Sequence, residues 1–372
     1  MSQRMSRRRS LARSGWALGA LAIASRSPLA WSAPPTADEL SARAAAFLKP
    51  RQKADGSWSG EKGPGITGLV VTALLRSKRV SRSEPVVTRA LGYLEGFISP
   101  QGGLAEGPQS NYVTSIALMA FAEANIQGRY DAQIKAGQGY LKTLQWDEGE
   151  KKGQDDPYYG GAGYGGKSRP DLSNTAFFLE ALRDTGLPAD DPNLRKALVF
   201  VSRCQNLKSE FNDQPWADKV NDGGFVYSAA DGGLSMTVPP KDTAGGLRSY
   251  ASMTYAGLKS MIHAGLKPDD PRVKAASDYI ARHYSLDENP GMGQAGLFYY
   301  YQTFAKALAL LGKPTLTDAA GQAHDWRADL TAALAKRQTP EGGWVNPADR
   351  FMEGDPNLVT SYGLLALAYS RP

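Results

Sequence analysis

The segment "LTAALAKRQTPEGGW" (residues 330–344) decides the fold, because the chain carries its pattern six times. In this copy an apolar stretch leads to a glutamine, and a glycine and a tryptophan follow at fixed distances. The segment "ARAAAFLKPRQKADGSW" (residues 42–58) has the same three residues at the same spacing. Two further copies keep the apolar positions and the glutamine, and two weaker copies keep only the apolar positions. The six copies span residues 42–58, 88–104, 135–146, 195–205, 273–286 and 330–344.

A more apolar segment follows each copy after a glycine-rich loop, as in "GITGLVVTALL" (residues 65–75) and "NLVTSYGLLALAYS" (residues 357–370). The copies carry a charged face, whereas these second segments are apolar or small nearly all round and must be buried on most sides. Six amphipathic and six buried helices predict an all-α (α/α)6 toroid with an inner and an outer ring. An open solenoid is the alternative. Closure is favoured because neither terminal pair has a polar capping face.

The repeat resembles the QW repeats of squalene and terpenoid cyclases, through Gln52-x-x-Asp55-Gly56-x-Trp58 and its counterpart at residues 338–344. The α/α toroid of those enzymes is shared with protein prenyltransferase β-subunits, and the resemblance covers nearly all of residues 36–371. It implies the toroid fold, but a fold does not fix chemistry. We expect the repeated glutamine to satisfy backbone groups in loops or at helix ends. We expect the aromatic residue to pack against the next outer helix.

One inner-helix start, "DLSNTA" (residues 171–176), bears on catalysis. Squalene–hopene cyclases carry Asp-x-Asp-Asp-Thr-Ala there, and the middle Asp protonates the substrate. This chain matches at Asp171, Thr175 and Ala176 but has Ser173 and Asn174 in place of two acids. Serine is far too weak an acid for that step, so the resemblance leaves only Asp171 as a candidate catalytic residue. Its alternative role is to cap the helix.

Two long loops, residues 146–171 and 206–247, are expected to surround the mouth of a central cavity. Aromatic rings with a few polar groups there suit an isoprenoid, whose cations they would stabilise, or a sugar, on which they would stack. Because residues 299–301 span three directions of a helix, at most two of them can face the cavity. The predicted ligand-binding residues are Tyr164, Arg169, Ser173, Asn174, Tyr250, Tyr299, Tyr300 and Tyr301.

Cysteine and histidine are sparse, and their spacing matches no zinc site. Cys204 lies in an apolar pattern, and His263, His283 and His324 fall late in helices or in a link. We therefore predict no metal and no cofactor. The single cysteine cannot form an internal disulfide.

Residues 1–33 predict a secretory signal peptide. Five arginines in "RMSRRRSLAR" (residues 4–13) precede the ten apolar or small residues of "GWALGALAIA" (residues 15–24). The pair Arg7-Arg8 resembles a twin-arginine signal, which implies export to the periplasm or beyond the cell. A disordered basic tail is the alternative.

Without the signal, residues 34–372 contain 37 basic and 37 acidic side chains, so the basic pI of the whole chain comes from the signal. This balance argues against a nucleic-acid surface. We expect residues 34–372 to form a single toroid domain with no membrane span.

Two classes of function stay open. The first is an exported terpenoid-cyclase-like protein that binds, and possibly transforms, an isoprenoid-like ligand. The second is a toroid without this chemistry that binds a glycan or a partner protein. A polysaccharide-active enzyme on the same fold is a third option, and it would need a pair of carboxylates in the cavity.

Overall fold

Each repeat copy forms the first helix of a pair, and the apolar segment after it forms the second. The computed structural model describes residues 34–104, 107–166 and 168–371, and this part of the chain contains twelve α-helices. The first helices are α1 (Ala37–Leu48), α3 (Pro85–Glu95), α5 (Asp131–Thr143), α7 (Pro192–Arg203), α9 (Pro271–Arg282) and α11 (Trp326–Arg337). The second helices are α2 (Gly65–Arg76), α4 (Ser110–Ala124), α6 (Leu172–Asp184), α8 (Ala251–His263), α10 (Leu297–Leu311) and α12 (Pro356–Tyr369).

The second helices form a closed inner ring. Their order is α2, α4, α6, α8, α10 and α12, and α12 lies beside α2 again. The outer ring closes as well, because the Gln338 side chain donates a 3.0 Å hydrogen bond to the Leu40 carbonyl of α1. The predicted (α/α)6 toroid is confirmed, and the open solenoid is wrong.

Burial follows the predicted difference between the two helix types. Every residue of α2 from Ile66 to Leu75 is buried, whereas α5 buries only Ile134, Gly137 and Leu141. Apolar side chains around the whole circumference of an inner helix contact neighbours on both sides and the outer ring behind. The core therefore lies between the two rings.

The repeated glutamines join neighbouring outer helices. Each side-chain amide donates to the carbonyl of its own loop glycine and to a carbonyl in the next outer helix. The loop glycine has a positive φ because it contacts that helix directly. At Gly160, with φ of 82°, a Cβ atom would lie only 1.8 Å from the Lys196 carbonyl oxygen. The structural role predicted for the glutamine is confirmed by Gln52, Gln145, Gln205 and Gln338.

A threonine in the first turns of five inner helices ties the preceding loop to the helix. Its hydroxyl oxygen accepts a backbone N–H from that loop at 2.8–3.1 Å. Thr175 of α6 is one of the five, so its match to the cyclase motif is a feature of the fold. The five threonines are Thr67, Thr114, Thr175, Thr254 and Thr360.

The two repeat tryptophans are buried at loop–helix junctions. Trp58 Nε1 donates to the Leu48 carbonyl at 2.8 Å, and Trp344 Nε1 donates to the Leu334 carbonyl at 2.9 Å. The Trp344 ring lies against Gly363 of α12. The tryptophan therefore contacts the inner helix of its own pair, at the junction between the loop and that helix.

The remaining regular structure is small. Strands β1 (Leu316–Thr317) and β2 (Ala323–His324) form an antiparallel hairpin between α10 and α11. Across the described ranges, no helix combines the length and apolarity of a membrane span. The predicted signal peptide, residues 1–33, lies outside the described residues.

Candidate functional site

The starts of the inner helices surround a cavity of about 360 Å³. Tyrosine rings and aliphatic side chains form most of its wall. The tyrosines are Tyr112, Tyr164, Tyr227, Tyr250, Tyr299 and Tyr362, and the aliphatic side chains include Ile66, Leu69, Val113, Met236, Met253 and Leu358. The cavity lies at the end of the ring where the sequence placed it.

In five of the inner helices, the same position relative to the repeat threonine contributes a residue to the cavity wall. The residue two positions before each repeat threonine lines the cavity, and in α2 and α12 so does the residue two positions after it. The positions two before and two after the threonine are four residues apart, and residues four apart lie on the same face of a helix. This spacing is present in the sequence and identifies Tyr112 and Tyr362, which were not among the residues predicted to bind a ligand. The residues before the threonines are Gly65, Tyr112, Ser173, Ser252 and Leu358.

Hydroxyl groups form two pairs on the cavity wall. Ser173 Oγ lies 3.0 Å from the Tyr299 hydroxyl, and the Tyr112 and Tyr362 hydroxyls are 3.1 Å apart. Burial raises the pKa of each of these three tyrosines above its ordinary value. The phenols therefore stay neutral and can donate or accept hydrogen bonds.

Asp171 lies behind this wall and caps α6. Its Oδ1 accepts the Asn174 backbone N–H at 2.9 Å, and its Oδ2 accepts the Asn174 side-chain amide at 2.8 Å. Burial raises the pKa of Asp171 to about 6, against the lowering effect of hydrogen bonds from Asn174 and Tyr227. Both carboxylate oxygens are used within the protein, which is the geometry of an N-cap.

Glu353 is a second carboxylate at the site, and it was not among the residues predicted from the sequence. It lines the cavity and accepts the Tyr299 N–H at 2.8 Å and the Phe298 N–H at 3.3 Å. It thereby caps α10, whose own N-cap, Gly296, has no side chain. Asn346 also donates to Glu353 at 2.6 Å, and burial raises the pKa of this carboxyl group.

Among the described residues that line the cavity, the one cation is Lys62, and it already forms an ion pair. Lys62 Nζ lies 2.7 Å from Asp355 Oδ2. Asp355 in turn accepts the Asn357 and Leu358 N–H groups at the start of α12. The charged groups at the cavity therefore serve helix ends and one another.

The structure brings half of the predicted ligand-binding residues to the cavity. Tyr164, Ser173, Tyr250 and Tyr299 line it. Arg169 and Asn174 are not among the lining residues: Arg169 lies in the link before α6, and Asn174 hydrogen-bonds Asp171.

Tyr300 and Tyr301 are also placed away from the cavity. Both are fully buried, and their hydroxyls donate to the Ser285 and Leu286 carbonyls at 2.6 Å. Successive helical residues point about 100° apart, so Tyr299 faces the centre and its two neighbours face the surrounding helices. These two tyrosines are packing residues in this structure.

No group of three or more His, Cys, Asp or Glu side chains within the described ranges is arranged to hold a metal ion. No protein-family model and no curated protein matches the chain.

Solved structures do match it. A variant of the type II terpene cyclase MstE from Scytonema, in complex with geranylgeranyl dihydroxybenzoate, has a TM-score of 0.55 and 13% identity. The match covers 90% of this chain and 97% of that chain. Protein geranylgeranyltransferase-I from Candida albicans, complexed with GGPP, has a TM-score of 0.51 and 13% identity, covering 89% and 90% of the two chains.

The chain has the toroid fold of these terpene cyclases and prenyltransferases. A glycosidase variant also matches this toroid, with a TM-score of 0.50 and 14% identity over 89% of this chain and 95% of that chain. At such identities the likeness concerns the fold alone, and the same toroid holds different chemistries.

Proposed function

We propose that this toroid binds an apolar, isoprenoid-like molecule in its central cavity and does not cyclise it by protonation. The supporting observation is the hydroxyl pair of Ser173 and Tyr299 on the wall. Ser173 occupies the position at which the cyclase motif has its acid. A serine hydroxyl and a neutral phenol can hold a polar group of a ligand, but neither protonates an alkene.

The environment of Asp171 supports the same proposal. A proton donor for an alkene needs an unusually acidic proton, whereas burial raises the pKa of Asp171 to about 6. Its two oxygens already accept hydrogen bonds from Asn174. Its role is to fix the start of α6 and thereby the position of Ser173.

The character of the wall favours a neutral ligand. Tyrosine faces and aliphatic side chains suit a hydrocarbon chain, and the volume falls in the range of about 300–1,000 Å³ typical of small-molecule sites. Lys62 is engaged by Asp355, and Glu353 would repel an anion.

The carboxylates give less support to a glycosidase. That chemistry uses two carboxyl groups on either side of the scissile bond. Here Glu353 lines the cavity, whereas Asp171 does not. Each of them caps a helix through backbone N–H groups.

Binding is tested by native mass spectrometry of the full-length protein with geranylgeraniol. We expect a one-to-one complex. Ser173→Phe, which inserts a ring into the cavity, should abolish the complex. Ser277→Phe on outer helix α9 is the matched control and should preserve it. Equal binding by both variants would contradict a site in the cavity.

Cyclisation is tested by incubating the protein with squalene or oxidosqualene and analysing the products. We expect no cyclic product above the control without protein. If the unmodified protein forms one and Asp171→Asn abolishes it, then Asp171 is the acid and the proposal is wrong.

We also propose export with cleavage near Ala33, on the strength of the arginine pair and the short apolar core in residues 1–33. Intact-mass measurement of protein from its native host should give a chain that begins close to that residue. An uncleaved chain found in the cytoplasm would rule out a cleaved export signal.

A further inference from the structure

A second cavity of about 880 Å³ lies at the opposite end of the inner ring, where the helices finish. The ends of α2, α4, α6 and α12 and a lysine of α10 contribute to its wall. The link after α2, "SKRVSRSE" (residues 77–84), supplies most of the remaining lining. The first cavity is neutral and tyrosine-rich, whereas this one is lined by charged side chains.

A buried cluster of charges forms its floor. Glu180 is fully buried and bonds the equally buried Lys259. Arg76 binds Glu123 at 2.8 Å and also bonds Asp184. These five side chains of α2, α4, α6 and α8 carry two positive and three negative charges. Lys306 of α10 lies beside Glu180 and Asp184 and makes the cluster neutral, so the cluster leaves no surplus for a ligand.

The surplus lies in two further cations on the lining, Lys78 and Arg82, and Lys306 of the neutral cluster faces the same cavity. Among the described residues, Lys78 and Arg82 make no ion pair, and both are exposed. Lys306 is more than nine-tenths buried, but its Nζ lies 3.4–3.5 Å from the Glu180 and Asp184 oxygens. Charge-assisted N–H···O bonds are usually about 2.7–2.9 Å long, so the ammonium group keeps capacity for a closer acceptor.

Apolar surface adjoins these cations. Leu75, Val80 and Ile126 line the same cavity, together with the ring of Tyr369. Lys306 Nζ lies 4.7 Å from the centre of that ring, so charged and apolar surfaces meet at one place.

We propose that this cavity is a binding site for an amphipathic organic anion, with a phosphate or carboxylate group on Lys78, Arg82 and Lys306 and an apolar body on Leu75 and Ile126. The two acids on the lining, Glu123 and Asp184, are held by Arg76. An anionic group therefore meets a net positive surface. The site is separate from the central cavity and does not depend on the function proposed for it.

The test titrates the full-length protein against benzyl phosphate and follows the ³¹P signal, with benzyl alcohol as the neutral analogue. We expect saturable binding of the phosphate that weakens as salt rises. The double variant Lys78→Gln/Arg82→Gln should bind it about tenfold more weakly. Both side chains are exposed, so the unfolding temperature should stay unchanged.

Lys151→Gln is the matched control. Lys151 is also exposed and has a left-handed φ of 59°, close to the 56° of Lys78, but it lies in the loop before α6. The Lys151→Gln variant should bind benzyl phosphate as tightly as the unmodified protein does. No saturable ³¹P change, equal binding of benzyl alcohol, or equal weakening by Lys151→Gln would overturn the proposal. Unchanged geranylgeraniol binding by the double variant would show that the two sites are independent.

Discussion

At the end of the inner ring where the helices begin, carboxylates and amides meet free backbone N–H groups, and the surface that remains is neutral. Asp171, Glu353 and Asp355 cap α6, α10 and α12 in this way. At the end where the helices finish, the cations Arg76 and Lys306 accompany the acids Glu180 and Asp184. The helix dipole favours anions at the first end and cations at the second.

The two ends therefore differ in how they depend on their polar groups. Loss of an N-cap typically costs about 0.5–2 kcal/mol, because a hydrogen bond at the helix end is lost. A buried charge that loses its partner typically costs about 3–5 kcal/mol, because it is left uncompensated. The neutral end can accept an apolar ligand, whereas the charged end stabilises the ring only while its charges are matched.

Lys259→Met should give the largest effect. It leaves Glu180 buried with contacts longer than the one it loses. These contacts are to the Tyr369 hydroxyl at 3.3 Å, Lys306 at 3.4 Å and Arg76 at 3.6 Å. We expect a loss of about 3–5 kcal/mol in the free energy of unfolding, measured by denaturant titration. Lys259→Met combined with Glu180→Met removes both charges and should recover part of it. If the single variant loses less than about 1 kcal/mol, the cluster is not tightly coupled.

Trp344→Ala measures how much apolar packing alone contributes to the free energy of unfolding, for comparison with the buried charge cluster. The ring is fully buried against Gly363 and bonded to the Leu334 carbonyl. We expect a loss of about 3–5 kcal/mol. An unchanged thermal unfolding curve would contradict the structural role of the repeat.

The pH dependence of stability should have opposite signs at the two ends. Burial raises the pKa of Asp171 from 3.8 to about 6, so between these values the folded state binds the extra proton and stability falls as pH rises. Burial lowers the pKa of His263 from 6.5 to about 4, so there the unfolded state binds the extra proton and stability increases with pH.

Each effect should amount to about 2–3 kcal/mol. Between pH 4 and 6, Asp171→Asn should gain stability relative to the unmodified protein as pH rises, and His263→Gln should lose it. Urea unfolding at several pH values measures both differences. Parallel curves for all three proteins would mean that neither group titrates differently on folding.

Ser173→Ala should have the smallest effect. It removes the hydroxyl group that is hydrogen-bonded to Tyr299. The rest of the cavity wall consists mostly of tyrosine rings and aliphatic side chains. We expect less than about 1 kcal/mol in stability and a few-fold change at most in geranylgeraniol affinity. A loss of binding comparable to that of Ser173→Phe would mean that the hydroxyl, and not the apolar wall, holds the ligand.

Much of the candidate site was predictable because it follows the repeat. The inner-helix starts, the cavity they surround and the position of Ser173 all follow from where each apolar segment begins. The prediction did not include Tyr112 and Tyr362, although their positions relative to the repeat threonines identify them. The predicted position of Tyr300 and Tyr301 at the cavity was wrong, because the sequence shows that three successive tyrosines diverge but not which one faces the centre.

The sequence by itself determined the helix pairs and their burial, and it favoured the closed ring, which the contacts between the first and last helix pairs then decided. The helix pairs and their burial depend on periodicity and on residues only a few positions apart, such as Gln338 and Gly342. Only the tertiary structure decided that Glu353 caps α10, more than 50 residues earlier in the chain, or that Lys259 of α8 meets Glu180 of the neighbouring α6. Such groups carry no local signature, because burial and partners from distant segments set their energies.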